Sequence, residues 1–111
     1  MTDCIFCKIA EKQIPATIRY EDDDFVAFDD IKPKAKTHIL LIPKRHIHSV
    51  AALEESDEAL MGKMIMTAKK VAIEAGLDSF RLVFNSGNDA GAEVDHIHLH
   101  ILGGNKLGDI A

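Results

Sequence analysis

The heptapeptide His96-Ile97-His98-Leu99-His100-Ile101-Leu102 alternates imidazoles with branched apolar side chains. A period of two belongs to an extended strand, whose successive side chains point to opposite faces. Ile97, Leu99 and Ile101 are therefore expected to enter a core while the three imidazoles share the other face, spaced roughly 6.6 Å apart along the strand. Half of the chain's six histidines would line this one ridge. Imidazole is the side chain able, near neutral pH, to serve as base, acid, nucleophile or neutral metal ligand. A merely solvated strand face fits poorly, because the intervening positions are so cleanly apolar.

At 111 residues the chain is read as a single domain, 1–111, with room for a real core. The longest apolar run, Ile39-Leu40-Leu41-Ile42-Pro43, is a strand's worth and far short of a membrane span. No secretory signal pattern opens the sequence, so a cytoplasmic protein is expected. The net charge of −5 argues against a nucleic-acid partner, whose backbone would require a basic surface. A small phosphorylated ligand needs only a local pocket of donors. Lys32, Lys34, Lys36, Lys44 and Arg45 form the one basic neighbourhood, read as solvated loop charges ahead of a steering patch.

Residues 4–12 carry Ile5, Phe6, Ile9 and Ala10 at helical spacing and predict a short helix ending before Ile14-Pro15. Thr17–Tyr20 and Phe25–Phe28 flank the acidic run Glu21–Asp24 and read as a hairpin. Thr37–Ile42 reads as a buried central strand ended by Pro43. Ser56 is the expected N-cap of one long helix, whose stripe Leu60, Met61, Met64, Ile65, Ala68, Val71, Ala72 and Ala75 ends at Gly76. Arg81–Phe84 and Asp95–Leu102 complete the strands. Strands, then a helix, then strands predict an α+β fold with an antiparallel sheet.

Three groups surround the ridge. His98 is central and would attack phosphorus if its other ring nitrogen were held by an acceptor, which fixes the tautomer. His38 is a candidate to orient it; a satisfied, half-buried histidine is the competing reading. The segment Asn85-Ser86-Gly87-Asn88-Asp89-Ala90-Gly91 follows a strand, and its glycines and amide side chain suit an anion. Cys4-Ile5-Phe6-Cys7 is a C-x2-C pair in a chain with no other cysteine. A disulfide closing so short a loop would gain little, and a redox pair would need a βαβ context. Two thiolates and two imidazoles would close a tetrahedral zinc site, with His46 and His96 the available partners. His96 and His100 would stand roughly 13 Å apart on an extended strand, so one ion cannot take all three ridge histidines.

Nearly the whole chain resembles the histidine triad (HIT) family. The resemblance rests on His96-x-His98-x-His100 with its apolar spacers, Cys4-Ile5-Phe6-Cys7-Lys8-Ile9, Ile14-Pro15, Phe28-Asp29-Asp30-Ile31, Thr37–Lys44, Asn85-x-Gly87 and Leu102-Gly103-Gly104. Within the family it looks most like the Hint branch of purine nucleoside phosphoramidases. The resemblance implies a HIT-like fold: a five-stranded antiparallel sheet with one long and one short N-terminal helix, extended across a homodimer. It implies a purine nucleoside monophosphate ligand of the AMP or GMP type. His98 would be the nucleophile, His38 its support, and His100 a contact to the phosphate and bridging atom. Asn85, Gly91 and the main chain near Glu93 and Val94 would hold the phosphate, Asp30 the ribose, and Phe6, Ile9, Ile14, Phe28 and Ile31 the base. Structural zinc would sit on Cys4, Cys7, His46 and His96.

Two departures bear on the leaving group rather than on the fold. Ala92-Glu93 stands where relatives carry a glutamine, and the chain stops at Gly108-Asp109-Ile110-Ala111 without an aromatic extension. Glu93 would face an anionic ligand unless it turns outward. The expected activity is hydrolysis of a purine nucleoside 5′-phosphoramidate through a nucleotidyl-histidine, with no metal needed at phosphorus. Alternatives are dinucleoside polyphosphate hydrolysis, a nucleotide-binding or scaffold module with weak catalysis, or a metal-hydrolase site on the ridge.

Overall fold

The computed structural model of the protein describes residues 4–109; the first three residues, and Ile110 and Ala111 of the C-terminal tail, lie outside the described residues. Five strands form one antiparallel sheet: β1 (Ile18–Glu21), β2 (Phe25–Asp29), β3 (Thr37–Pro43), β4 (Phe80–Phe84) and β5 (Leu99–Gly103), ordered β1-β2-β3-β5-β4. Helix α1 (Ile5–Ala10) precedes the sheet, and helix α2 (Glu58–Glu74) lies between β3 and β4 in the chain. This is the α+β architecture expected from the element order.

The acidic run makes the β1–β2 turn by a local mechanism. Asp22 Oδ1 accepts from the amides of Asp24 and Phe25, each at 2.8 Å, so a side chain replaces a backbone acceptor at the bend. In β2 and β3 nearly every residue is buried, because both faces of the sheet are covered. One face presents Phe25, Ala27, Ile39, Leu41, Leu99 and Ile101 to Met64, Ala68, Val71 and Ala72 of α2. The other presents Val26, Phe28, Leu40 and Ile42 to Phe6 and Ile9 of α1. Each buried Val, Leu, Ile, Met or Phe side chain among them contributes about 1.5–3 kcal/mol by leaving water.

Helix α2 begins later than Ser56 suggests. Glu55–Asp57 form a 3-10 turn, and a reciprocal box between Glu54 and Asp57 closes the start. The competing feature is the Arg45 guanidinium, which pairs with the Asp57 carboxylate and holds it at that position. At the other end Gly76, at φ 82°, donates to Ile73 O and Leu77 donates to Ala72 O. That is a Schellman ending, with the glycine in the left-handed conformation. Ile65, placed on the apolar stripe by spacing, is instead 43% exposed, together with Met66 and Ile73.

The histidine segment is only partly strand. β5 starts at Leu99, so Asp95–His98 make no strand ladder. The Ile97 amide donates to Ile47 O at 2.7 Å, tying this stretch to the chain beyond β3. The alternation nonetheless survives: Ile97, Leu99 and Ile101 are buried, the last two against α2. The opposite side is no open ridge, since His96 is fully buried and His98 nearly so.

Candidate active site and metal centre

His38 enters on β3 and His100 on β5. Their strands pair with His38 opposite Leu102 and Leu40 opposite His100, which makes the two histidines diagonal neighbours on one face. The His38 Nε2 and His100 Nδ1 atoms are 2.8 Å apart. His98 stands beside His100, ring centres 5.0 Å apart, and the edge of Phe6 covers it at 5.1 Å.

The hydrogen-bond pattern assigns the tautomers. His98 Nδ1 lies 2.8 Å from the main-chain oxygen of His96, which can only accept, so Nδ1 carries the proton and Nε2 the lone pair. The acceptor that orients His98 is thus a carbonyl of its own chain segment, where His38 had been expected. His38 reaches His100 instead, because the diagonal register brings those two strands' histidines together. Burial lowers the pKa of both rings, that of His100 to about 4, which keeps them neutral at pH 7. His100 Nε2 is buried and has no hydrogen-bond partner among the described residues.

Asp30, at the end of β2, accepts from the Lys32 amide with Oδ1 at 2.8 Å, and its Oδ2 is 3.5 Å from His38 Nε2. Asp30 thus stands beside the histidine pair. Phe6 and Phe28 meet edge to face at 5.5 Å and pack with Ile9, Ile14 and Val94. Ile31 does not join them; at 92% exposure it stands clear on the loop after β2. The Lys32 amide donates to Asp30 Oδ1 across Ile31, a local turn that leaves the Ile31 side chain outside the cluster.

The loop after β4 turns through a 3-10 segment, Asn88–Ala90, with Gly87 and Gly91 at φ 95° and 105°. Gly91 abuts the side chain of Asn85: a methyl group there would lie 3.9 Å from its amide nitrogen. Ala92 is buried, whereas Glu93 is exposed and lines an open cleft with Cys4, His46, His48 and Asp95. Of the basic neighbourhood, Lys44 pairs with Glu21 at 2.8 Å and Arg45 with Asp57, while Lys32, Lys34 and Lys36 remain exposed loop charges.

Cys4, Cys7, His46 and His96 converge, their donor atoms all within 4.8 Å of one another. Cys4 Sγ is 3.2 Å from His96 Nδ1, Cys7 Sγ 3.3 Å from His46 Nδ1, and the two Nδ1 atoms are 3.1 Å apart. Tetrahedral zinc, with bonds of about 2.0–2.3 Å, would spread such donors roughly 3.3–3.8 Å apart. His96 Nε2 lies 2.9 Å from Pro43 O, which commits that nitrogen's proton and leaves the Nδ1 lone pair facing the cluster. The donor set fits zinc. Burial, reinforced by the neighbouring Cys4, pushes the Cys7 thiol up to about 11, so in the absence of a cation it stays protonated.

The ligands that matter most to the tautomers are main-chain groups, the His96 carbonyl and the Lys34 amide, the latter 2.9 Å from His38 Nδ1. Neither leaves a mark in side-chain identity, so no sequence signal could have pointed to them.

Comparison with known proteins places this geometry. Residues 3–109 match the family described as "Scavenger mRNA decapping enzyme C-term binding". A purine nucleoside phosphoramidase of Escherichia coli K12 is 44% identical over 108 residues, covering 96% of this chain and 91% of that protein. Among solved structures, a histidine triad protein from Clostridium difficile superposes with a TM-score of 0.96 at 42% identity, covering 100% of this chain and 98% of the other. A HIT family hydrolase from Legionella pneumophila gives 0.93 at 46% identity, with 96% of each chain covered. The chain belongs to the histidine triad family.

Proposed function

We propose that this protein hydrolyses purine nucleoside 5′-phosphoramidates at the P–N bond through a nucleotidyl intermediate on His98. The observation that carries the reading is the opposed polarity of two adjacent imidazoles. His98 keeps a lone pair on Nε2 because its Nδ1–H is held by the His96 carbonyl, and beside it His100 has a buried, unpartnered Nε2. A nucleophile next to an unsatisfied ring nitrogen suits an electrophilic phosphorus with anionic oxygens. The activity named for the 44% identical relative supports the same choice.

In this reading His98 Nε2 bonds to the α-phosphorus as the bond to the leaving nitrogen breaks, and the amine departs with a proton. Water then attacks phosphorus, the bond to His98 breaks, and the nucleoside monophosphate is released. Asn85 with the main chain of Gly91, Glu93 and Val94 holds the phosphate, and His100 contacts it. Asp30 holds the ribose. Phe6, Ile9, Ile14 and Phe28 form the base slot, while Ile31 stands clear of it. His38 supports the site through His100. Zinc on Cys4, Cys7, His46 and His96 is structural in this scheme and takes no part at phosphorus.

We read the protein as a cytosolic homodimer. No helix among the described residues is long and apolar enough to cross a membrane. β4 is one of the sheet's two edge strands and half-buried throughout, and Ile65, Met66 and Ile73 lie exposed on α2. A second copy pairing along β4 would cover both features; sedimentation as a monomer at micromolar concentration would refute this part.

The test of the chemistry compares adenosine 5′-phosphoramidate with a diadenosine polyphosphate on wild type and His98→Ala. Preferential turnover of the phosphoramidate, lost in His98→Ala while AMP still binds by calorimetry, is the expected result. Faster cleavage of the polyphosphate would shift the assignment to that class, and AMP binding by wild type without turnover would favour a nucleotide-binding module. Undiminished activity of His98→Ala would end the mechanism.

A further inference from the structure

We propose that the main-chain amide of Lys34 is a positioning group of the active site: acting through His38, it fixes the tautomer in which His100 presents a buried Nε2–H. The role assigned to that N–H, contact with a substrate phosphate, rests on the function proposed above; the order of tautomers does not.

The argument proceeds donor by donor. The Lys34 amide donates to His38 Nδ1 at 2.9 Å. An amide N–H cannot accept, so His38 Nδ1 must offer its lone pair, and a proton there would confront another proton. His38 is buried, where a cationic ring is disfavoured, so its single proton resides on Nε2. That nitrogen is 2.8 Å from His100 Nδ1 and 3.5 Å from Asp30 Oδ2, which makes His100 the nearer acceptor. His100 Nδ1 is therefore also a lone pair, and its proton is on Nε2. This is the ring nitrogen left buried without a partner. Such an orphan is rare in a folded chain and points to an acceptor that arrives from outside.

The contrast with His98 gives the arrangement its sense. A main-chain carbonyl holds His98 as an Nδ1–H ring, and a main-chain amide holds the His38–His100 pair as Nε2–H rings. Two backbone groups of opposite polarity thus set a lone pair and a donor side by side. The amide is itself firmly placed. Asp30 Oδ1 accepts from the Lys32 amide at 2.8 Å and Asn105 Oδ1 from the Lys36 amide at 2.6 Å, so anchored residues bracket Lys34. Its side chain is exposed, so the role belongs to the backbone and any residue except proline could supply it. Asp30, His38 and His100 could also be read as a metal-holding trio, since their donors lie within 4.8 Å. The 2.8 Å separation of two ring nitrogens is instead that of a shared proton.

The deciding measurement is imidazole nitrogen NMR on the full-length, zinc-loaded, 15N-labelled protein, in which protonated and bare ring nitrogens are well separated. His38 and His100 are expected protonated on Nε2 and His98 on Nδ1, with a through-hydrogen-bond coupling between the Lys34 amide and His38 Nδ1. A proton on Nδ1 of His38 or His100 overturns the proposal. Lys34→Ala should leave the His100 tautomer unchanged, whereas Lys34→Pro, lacking the N–H, should give a mixture. If Lys34→Pro does not fold, His38→Gln and His38→Leu decide: the glutamine amide can accept from Lys34 and donate to His100, preserving its tautomer, and leucine cannot. An unmixed Nε2–H tautomer of His100 in His38→Leu would also overturn the relay. Correct tautomers in a wild type that fails to cleave phosphoramidates would leave this inference standing and remove the function instead.

Discussion

The Nδ1–H of His98 donates to the main-chain oxygen of His96 at 2.8 Å, while the His96 ring faces Cys4 and Cys7. One residue therefore joins the two centres: its ring lies against the thiols and its carbonyl holds the His98 ring. Metal loading should consequently be felt at His98. Removing zinc with a chelator is expected to lower Tm and to broaden the His98 ring resonances; a metal-free protein with an unchanged His98 spectrum would separate the two centres.

Zinc binding at pH 7 should release protons. Cys7 is held protonated, with its pKa near 11, until a cation arrives, and only the thiolate ligates. Stopped-flow mixing with a pH indicator should show proton release in wild type and less in Cys7→Ser. Equal release from both would mean that Cys7 is not a ligand.

Acid should destabilise the fold in a defined window. His100 titrates near its ordinary 6.5 when unfolded and near 4 when folded, because burial penalises the cation. Above pH 6.5 both states are neutral and the contribution vanishes. Between 6.5 and 4 the unfolded chain binds more protons, so stability declines as pH is lowered. Urea midpoints should fall across this range in wild type and fall less steeply in His100→Gln. Parallel slopes would contradict the assignment.

Gly103 closes β5 where no side chain fits. A Cβ there would lie 2.9 Å from Ser79 O and 3.0 Å from a Leu77 methyl. Gly103→Ala should cost about 1–3 kcal/mol of overpacking. Equilibrium denaturation measures it, and a change below about 0.5 kcal/mol, the range of ordinary surface substitutions, would show that the neighbours yield freely.

Phe6 covers His98 and meets Phe28, so its loss should be felt twice. Phe6→Ala is expected to lower stability by about 3–5 kcal/mol through the cavity it leaves. The milder Phe6→Leu should fold and raise KM for a purine nucleotide more than it lowers kcat. An unchanged KM in Phe6→Leu would take Phe6 out of the base slot.

Much of this protein follows from local sequence rules, because local rules govern what they describe. Period-two alternation set Leu99 and Ile101 against α2, the acidic run made its turn through Asp22, and C-x2-C spacing placed Cys4 and Cys7 on one turn at the start of α1. The type of each ring and thiol was likewise legible, and with it the kind of chemistry available. Tertiary structure alone decided the connections. Strand register made His38 a neighbour of His100 rather than of His98, and the tie from Ile97 to Ile47 ended the strand before His98. The physical reason is that imidazole tautomers are chosen by whichever donor or acceptor meets each nitrogen. Here those partners include a carbonyl and an amide of the backbone, groups that every residue but proline carries alike and that only folding puts in place.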